Sequence, residues 1–303
     1  MRADTWIAIG CGLGAALCFG TGDFLAQRLT HRHGWMPAMF AVQIASVLVL
    51  ALVGLAWHGP GPVDPQLPLA VAGIGLINTL GMIGLYRAFE SGKLSLVSPI
   101  AGSMGAFTVA FAWVAGEAPP LAVIPGLITV VLGILAASVV DEPDSVSATP
   151  KLRRALGVGW ALLSALAFGW VFFVLGPNSV ALGPAWTIAI LRLVAIVLLL
   201  AVTRFGTQPR LATALRSEPD QPSSRGRTLA VALLDSSGMV LIAFGSSRGA
   251  LLGETAVVAV LASSFPLITI ALARVWLREG LRWWQWIGVG VVVVGVAWVS
   301  ALA

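Results

Sequence analysis

Apolar runs of about twenty residues, separated by short polar breaks, fill nearly the whole chain. A helix needs about 20 apolar residues to cross a ~30 Å hydrocarbon core. Runs of that kind occupy 6–26, 36–57, 67–88, 94–115 and 119–139, and a second set occupies 157–176, 185–202, 228–249, 254–276 and 283–302. The pattern therefore predicts an all-α membrane protein with ten transmembrane helices. These helices are apolar on all sides, so periodicity does not fix which face of each one lines an interior.

The second set of runs repeats the first. Ala16-Leu17-Cys18-Phe19-Gly20 returns as Ala165-Leu166-Ala167-Phe168-Gly169 at an offset of 149, where Gln43 also meets Arg192. Leu76-Ile77-Asn78 and Gly81-Met82 return as Leu233-Leu234-Asp235 and Gly238-Met239 at an offset of 157. Glu117, Gly126 and Gly133 return as Glu279, Gly288 and Gly295 at 162, the offset growing only where a loop or helix end lengthens. A copy with five spans is odd-numbered, so the second copy enters the bilayer facing the opposite way. The chain thus reads as two inverted five-helix repeats, 1–139 and 157–303, joined by a polar cytoplasmic linker at 140–156. Inverted repeats are a construction principle of many secondary transporters.

Composition excludes a water-soluble protein: 58% of residues are hydrophobic, only 10% are charged, and mean hydropathy is +0.94. Ten spans leave no room for a separate catalytic domain. Arg2 before the first apolar run imitates a secretory signal, but the length of that run and its counterpart beginning near Gly157 mark a retained helix. The two cysteines, Cys11 and Cys18, lie inside the first helix and form neither a disulfide framework nor a zinc site. His31, His33 and His58 fall in predicted loops, so no metal and no cofactor is expected.

The net charge of +5 describes basic loops rather than a nucleic-acid partner. Sorted by alternate loops, Arg28, Arg32, Arg87, Lys93, Lys151, Arg153, Arg154, Arg204, Arg210, Arg216, Arg225, Arg227, Arg278 and Arg282 gather on one side, with Arg274 just inside a helix end. The other side, which holds both termini, has Arg2 and Arg248. By the positive-inside rule both termini face away from the cytoplasm. The linker and the basic loop at 203–227 serve either to fix topology or to meet anionic headgroups.

Ionisable side chains are costly in hydrocarbon and mark a functional hypothesis by default. Asp235 and Arg192 are each expected ~10 Å from a helix end and Asp23 ~5 Å from the cytoplasmic surface. Two readings stand side by side. In one, Asp235 binds a proton or a cationic group while Arg192 contacts an anionic group; a desolvated carboxylate lacking a counter-charge suits proton exchange. In the other, Arg192 and Asp235 form a buried pair that only fixes neighbouring helices.

Pro99 and Pro266 are expected to interrupt the fourth and ninth helices. Ser98, Ser103, Ser263 and Ser264 stand near them to bond freed carbonyls or a ligand. Asn78, Thr79, Ser236 and Ser237 form polar steps on the third and eighth helices. Trp170, opposite Thr21 in the repeat, is a further cavity candidate or a packing residue. Trp283, Trp284 and Trp286 open the tenth helix as an interfacial belt. Gly126/Gly133 and Gly288/Gly295 each share one helix face, for a homodimer contact through helices 5 and 10 or for packing within one chain.

These residues resemble EamA-type carriers of the drug/metabolite transporter superfamily. The likeness rests on Gly116-Glu117 before Gly126 and Gly133, and on Arg278-Glu279 before Gly288 and Gly295. It rests also on Gly22-Asp23-Phe24-Leu25, Tyr86-Arg87-Ala88 and Val258-Ala259-Val260-Leu261-Ala262-Ser263-Ser264-Phe265-Pro266. The resemblance implies an inverted-repeat basket whose cavity is lined mainly by helices 1, 3, 4, 6, 8 and 9, with helices 5 and 10 peripheral. Many relatives are expected to keep their termini in the cytoplasm; here the charges place them outside. The expectation is a bacterial inner-membrane carrier for a small organic metabolite or drug, an exporter coupled to protons through Asp235. A facilitative permease for sugars or nucleosides is the nearest alternative. A membrane-embedded enzyme acting on lipid-linked substrates would need a nucleophile with its base, a metal set or paired carboxylates at one depth.

Overall fold

The computed structural model describes residues 3–58, 66–91, 94–116, 121–122, 124–137, 148–205, 222–248, 253–277 and 283–302. Among them every regular element is α-helical: α1 (Ala3–His33), α2 (Trp35–His58), α3 (Gln66–Ser91), α4 (Leu94–Gly102), α5 (Met104–Val114), α6 (Ile124–Ala137), α7 (Ala148–Ser179), α8 (Pro184–Phe205), α9 (Pro222–Arg248), α10 (Gly253–Ala262), α11 (Phe265–Leu277) and α12 (Trp283–Leu302). Six of these, α1 to α3 and α7 to α9, are long and apolar enough to cross a bilayer.

Several boundaries differ from the sequence reading. α1 continues to His33, so His31 and His33 occupy its last turn rather than a loop. α7 begins at Ala148 and α9 at Pro222, which makes the end of the predicted linker and the end of the basic loop helical. Basic residues fit a helix end as well as a loop, and charge alone does not separate the two. Asp235 therefore lies thirteen residues into α9, ~20 Å along it, and Asp23 has ten residues of α1 beyond it, ~15 Å. Both stand farther from their helix ends than expected. Residues 140–147, Lys93, Glu117, Arg210, Arg216, Arg278, Glu279 and Arg282 lie outside the described residues.

The fourth and ninth predicted spans are each broken in two, at Ser103 and at Ser263-Ser264. Pro99 lies inside α4, four residues before the first break, which corrects its assignment; Pro266 stands directly after the second break, in the first turn of α11, and has no N–H to offer the carbonyl of Ala262, where α10 ends. At the first break Ser103 Oγ donates to the Ile100 carbonyl at 2.7 Å. At the second, Ser263 Oγ donates to Ala259 O at 2.7 Å and Ser264 Oγ to Leu261 O at 2.6 Å. Each of these carbonyls also accepts the backbone N–H of the same serine, so the hydroxyls add a second bond at the breaks.

The packing of the two halves is reciprocal. α1 lies along α9 as α7 lies along α3; α2 meets α9 as α8 meets α3; α2 pairs with α8 and α6 with α12. Gly81 receives the ring of Phe168, and Gly238 receives the ring of Phe19. Thr108 Oγ1 donates to Gly169 O at 3.0 Å, and Thr269 Oγ1 to Gly20 O at 3.1 Å. Both bonds need a glycine: a Cβ at Gly169 would lie 2.9 Å from Met104 O, and one at Gly20 would lie 2.6 Å from Phe265 O. Gly126, Gly133, Gly288 and Gly295 are buried on the α6–α12 pair, and Trp298 Nε1 donates to Ala122 O at 2.9 Å.

Outward-facing positions carry large apolar side chains, among them Leu48, Leu52, Leu69, Val275 and Trp283, whereas Gln43, Ser46, Asn78, Ser98, Ser164 and Arg192 are buried. A surface of that kind suits lipid rather than water.

Candidate functional site

Four long helices, α1, α3, α8 and α9, bring their polar residues to one place. α1 packs along α9 with Gly22 facing Leu234 and Asp235. Asp23 and Asp235 open onto one central cavity. Its lining comprises Phe19 and Asp23 from α1; Asn78, Met82 and Leu85 from α3; Ala101 and Met104 from α4 and α5; Phe168 and Phe172 from α7; Arg192 from α8; Asp235 and Met239 from α9; and Phe265 from α11.

Arg192 Nη2 lies 2.6 Å from Asp235 Oδ2, and the guanidinium is almost wholly buried. The distance is that of a close ion pair. Nε and Nη1 of Arg192 have no hydrogen-bond partner among the described residues. The Asn78 amide is fully buried, and neither its nitrogen nor its oxygen has a hydrogen-bond partner among those residues. Unmet polar groups at this depth are costly unless a ligand or water meets them.

The remaining wall is aromatic and sulfur-rich. Phe19 stacks on Phe172 at 6.2 Å, Phe168 stacks on Phe172 at 6.2 Å, and Phe265 meets Phe19 edge-on at 6.4 Å. Three methionines fill the gaps between them. The free space is about 40 Å³, enough for a few water molecules and well below the ~300–1,000 Å³ of an open ligand pocket. Arg192 and Asn78 are fully buried there, while Asp23 and Asp235 stay partly exposed.

At the end of α3 the guanidinium of Arg87 lies 4.5 Å from the Trp35 ring and 5.1 Å from the Trp160 ring. It joins α2, α3 and α7. Arg28 lies 4.5 Å over the Phe24 ring on its own helix.

Of the residues singled out in the sequence, the cavity brings together Asp23, Asn78, Arg192 and Asp235. Ser98 and Ser236 are buried but do not line it, and Ser103, Ser263 and Ser264 sit at the helix breaks. Trp170 is partly buried against the core outside the lining. Sequence reasoning missed the phenylalanines and methionines. A signal existed, because Phe19/Phe168 and Met82/Met239 belong to the repeated segments, but apolar residues in apolar helices do not announce their direction. Arg192 also brings the seventh predicted span to the cavity, beyond the helices the resemblance implied. Among the described residues no group of His, Cys, Asp and Glu has the makings of a metal site.

A lipid-facing helical assembly with a small, charged cavity at its centre defines a multi-pass membrane protein with an internal polar site. The profile of the EamA-like transporter family matches residues 6–139 and 155–301, so the chain belongs to that family and is a membrane transporter of the drug/metabolite superfamily. No curated relative matches the chain. Twenty-five chains of known structure do. One, titled "Crystal structure of protein", aligns over 98% of this chain and 97% of its own with a TM-score of 0.74 and 17% identity, a likeness of fold.

Proposed function

We propose that the protein is a secondary active transporter that exports a small organic metabolite or drug across a bacterial inner membrane by alternating access. In this reading ten spans form two inverted repeats, with α4–α5 and α10–α11 each counting as one broken span. Both termini face away from the cytoplasm. The reciprocal packing of α1–α9 and α7–α3 and the paired Thr108–Gly169 and Thr269–Gly20 bonds support the inverted arrangement. The observation that carries the function is the cavity itself: Asp23, Arg192, Asp235 and an unpartnered Asn78 meet where helices of both halves converge. Rocking one half against the other opens such a site to each side in turn.

Asp235 is the proton-coupling residue in this scheme. Its link with Arg192 holds the closed state, and exchange of that link for a proton accompanies opening. In proteoliposomes, an imposed pH gradient drives solute accumulation by the wild type, and Asp235→Asn loses driven accumulation while retaining counterflow exchange. Unchanged driven transport in the variant would refute the coupling role. The ion pair also favours a second reading, a facilitative permease, since a carboxylate held by arginine need not take up a proton. That reading expects equal flux with and without the pH jump.

A further inference from the structure

The cavity holds three ionisable groups among its lining residues, and two of them balance each other's charge. With Arg192 and Asp235 paired, Asp23 is left with no cationic partner among the described residues. The arginines of the neighbouring helix ends are engaged elsewhere, Arg28 over the Phe24 ring and Arg87 between Trp35 and Trp160. The repeat sharpens the point. At the 149 offset that matches Phe19 with Phe168, Asp23 matches Phe172, so one copy places a carboxylate where the other completes an aromatic wall. A buried, unpartnered Asn78 faces the same space.

We propose that Asp23 makes this cavity a site for an organic monocation, an alkyl- or arylammonium. Its charged end meets the Asp23 carboxylate and the Asn78 amide oxygen, and its apolar body lies against Phe19, Phe168, Phe172 and Phe265. The inference rests on the transporter reading and names its substrate class. An ammonium supplies the charge that the pair leaves over, and aromatic faces attract a cation. An anion meets a site of net negative charge. A neutral solute leaves Asp23 unpaired at low dielectric, which is costly. The unbranched side chains of Met82, Met104 and Met239 let the wall adapt to differently shaped bodies as the cavity widens.

The test is a series of one shape and three charges: phenethylammonium, 2-phenylethanol and phenylacetate, titrated calorimetrically into the purified full chain in detergent. The expected order places the ammonium at least about tenfold tighter than the alcohol, a difference of about 1.4 kcal/mol, and the carboxylate weakest. Asp23→Asn, which removes the charge that a neutral solute leaves unpaired, should lose that tenfold preference and bind the alcohol at least as tightly as the wild type does. Asp23→Glu, which keeps the charge, should retain the preference, so a folding defect in one variant does not decide the matter. Equal binding of ammonium and alcohol, preference for phenylacetate, an unchanged Asp23→Asn, or no binding of any of the three overturns the inference. If reconstituted protein moves neutral or anionic solutes without binding the ammonium, the transporter reading stands and this inference alone fails. If the ammonium binds but no solute is moved, the reverse holds.

Discussion

Arg192 and Asp235 meet at 2.6 Å inside the helical core, and each stands where the other half of the chain carries an uncharged polar residue, Gln43 and Asn78. The pair is thus a departure from the repeat placed at its centre. Removing one member of a buried ion pair strands the other, at a cost of about 3–5 kcal/mol, whereas replacing both with neutral groups is far milder. Arg192→Gln and Asp235→Asn singly should therefore lower the thermal unfolding temperature in detergent markedly. The double variant, which installs the residue types of the first half, should recover most of the loss. Single variants as stable as the double would show that the pair is not coupled.

The glycines that allow close helix approach should divide into two groups. Gly20→Ala and Gly169→Ala each drive a Cβ against backbone, and overpacking of that kind costs about 1–3 kcal/mol. Gly10→Ala and Gly73→Ala point into open space and should leave stability unchanged or slightly raised, since alanine is the better helix former. Thermal unfolding of the four variants checks the division, and equal losses would contradict it.

The two threonine bonds between the halves should be interchangeable in energy. Thr108→Val and Thr269→Val each remove one hydrogen bond to a facing glycine carbonyl, and interhelical bonds in membrane proteins average about 0.6 kcal/mol. Small, similar and additive losses are expected. A large loss from only one would show that the reciprocal geometry does not carry reciprocal energy.

Arg87 between Trp35 and Trp160 ties three helices together at the end of α3 that the charge distribution assigns to the cytoplasm. Arg87→Ala should loosen that end. The rate at which a cysteine at Leu85, in the cavity lining, reacts with an impermeant reagent from the cytoplasmic side should rise several-fold, while Arg28→Ala, which removes a contact within α1 alone, should change it little. Equal rates in the Arg87 variant and the wild type would show that the stack does not restrict access.

The all-helical character and the long apolar helices were legible in the sequence because hydrocarbon imposes a length on each helix. The charged residues of the site were legible for a related reason: Asp23, Arg192 and Asp235 are expensive at such depth. What stayed hidden was direction. Phe172 and Trp170 are two residues apart on one apolar helix, yet Phe172 lines the cavity and Trp170 does not. Only the packing of neighbouring helices decides between them. The first helix break was misplaced for a different reason. Proline is the strongest sequence signal for an interruption, and Pro266 does adjoin the second break, but Pro99 is held inside α4 and the first break falls four residues later, at Ser103.

Alternating access around the central cavity is tested most directly by placing a cysteine at Met82 in a protein whose Cys11 and Cys18 are replaced by serine. An impermeant methanethiosulfonate is then applied to right-side-out and to inside-out vesicles. The account predicts that the same cysteine reacts from both faces of the membrane, with a solute bound in the cavity slowing both reactions. Reaction from one face only, or from neither, would contradict it.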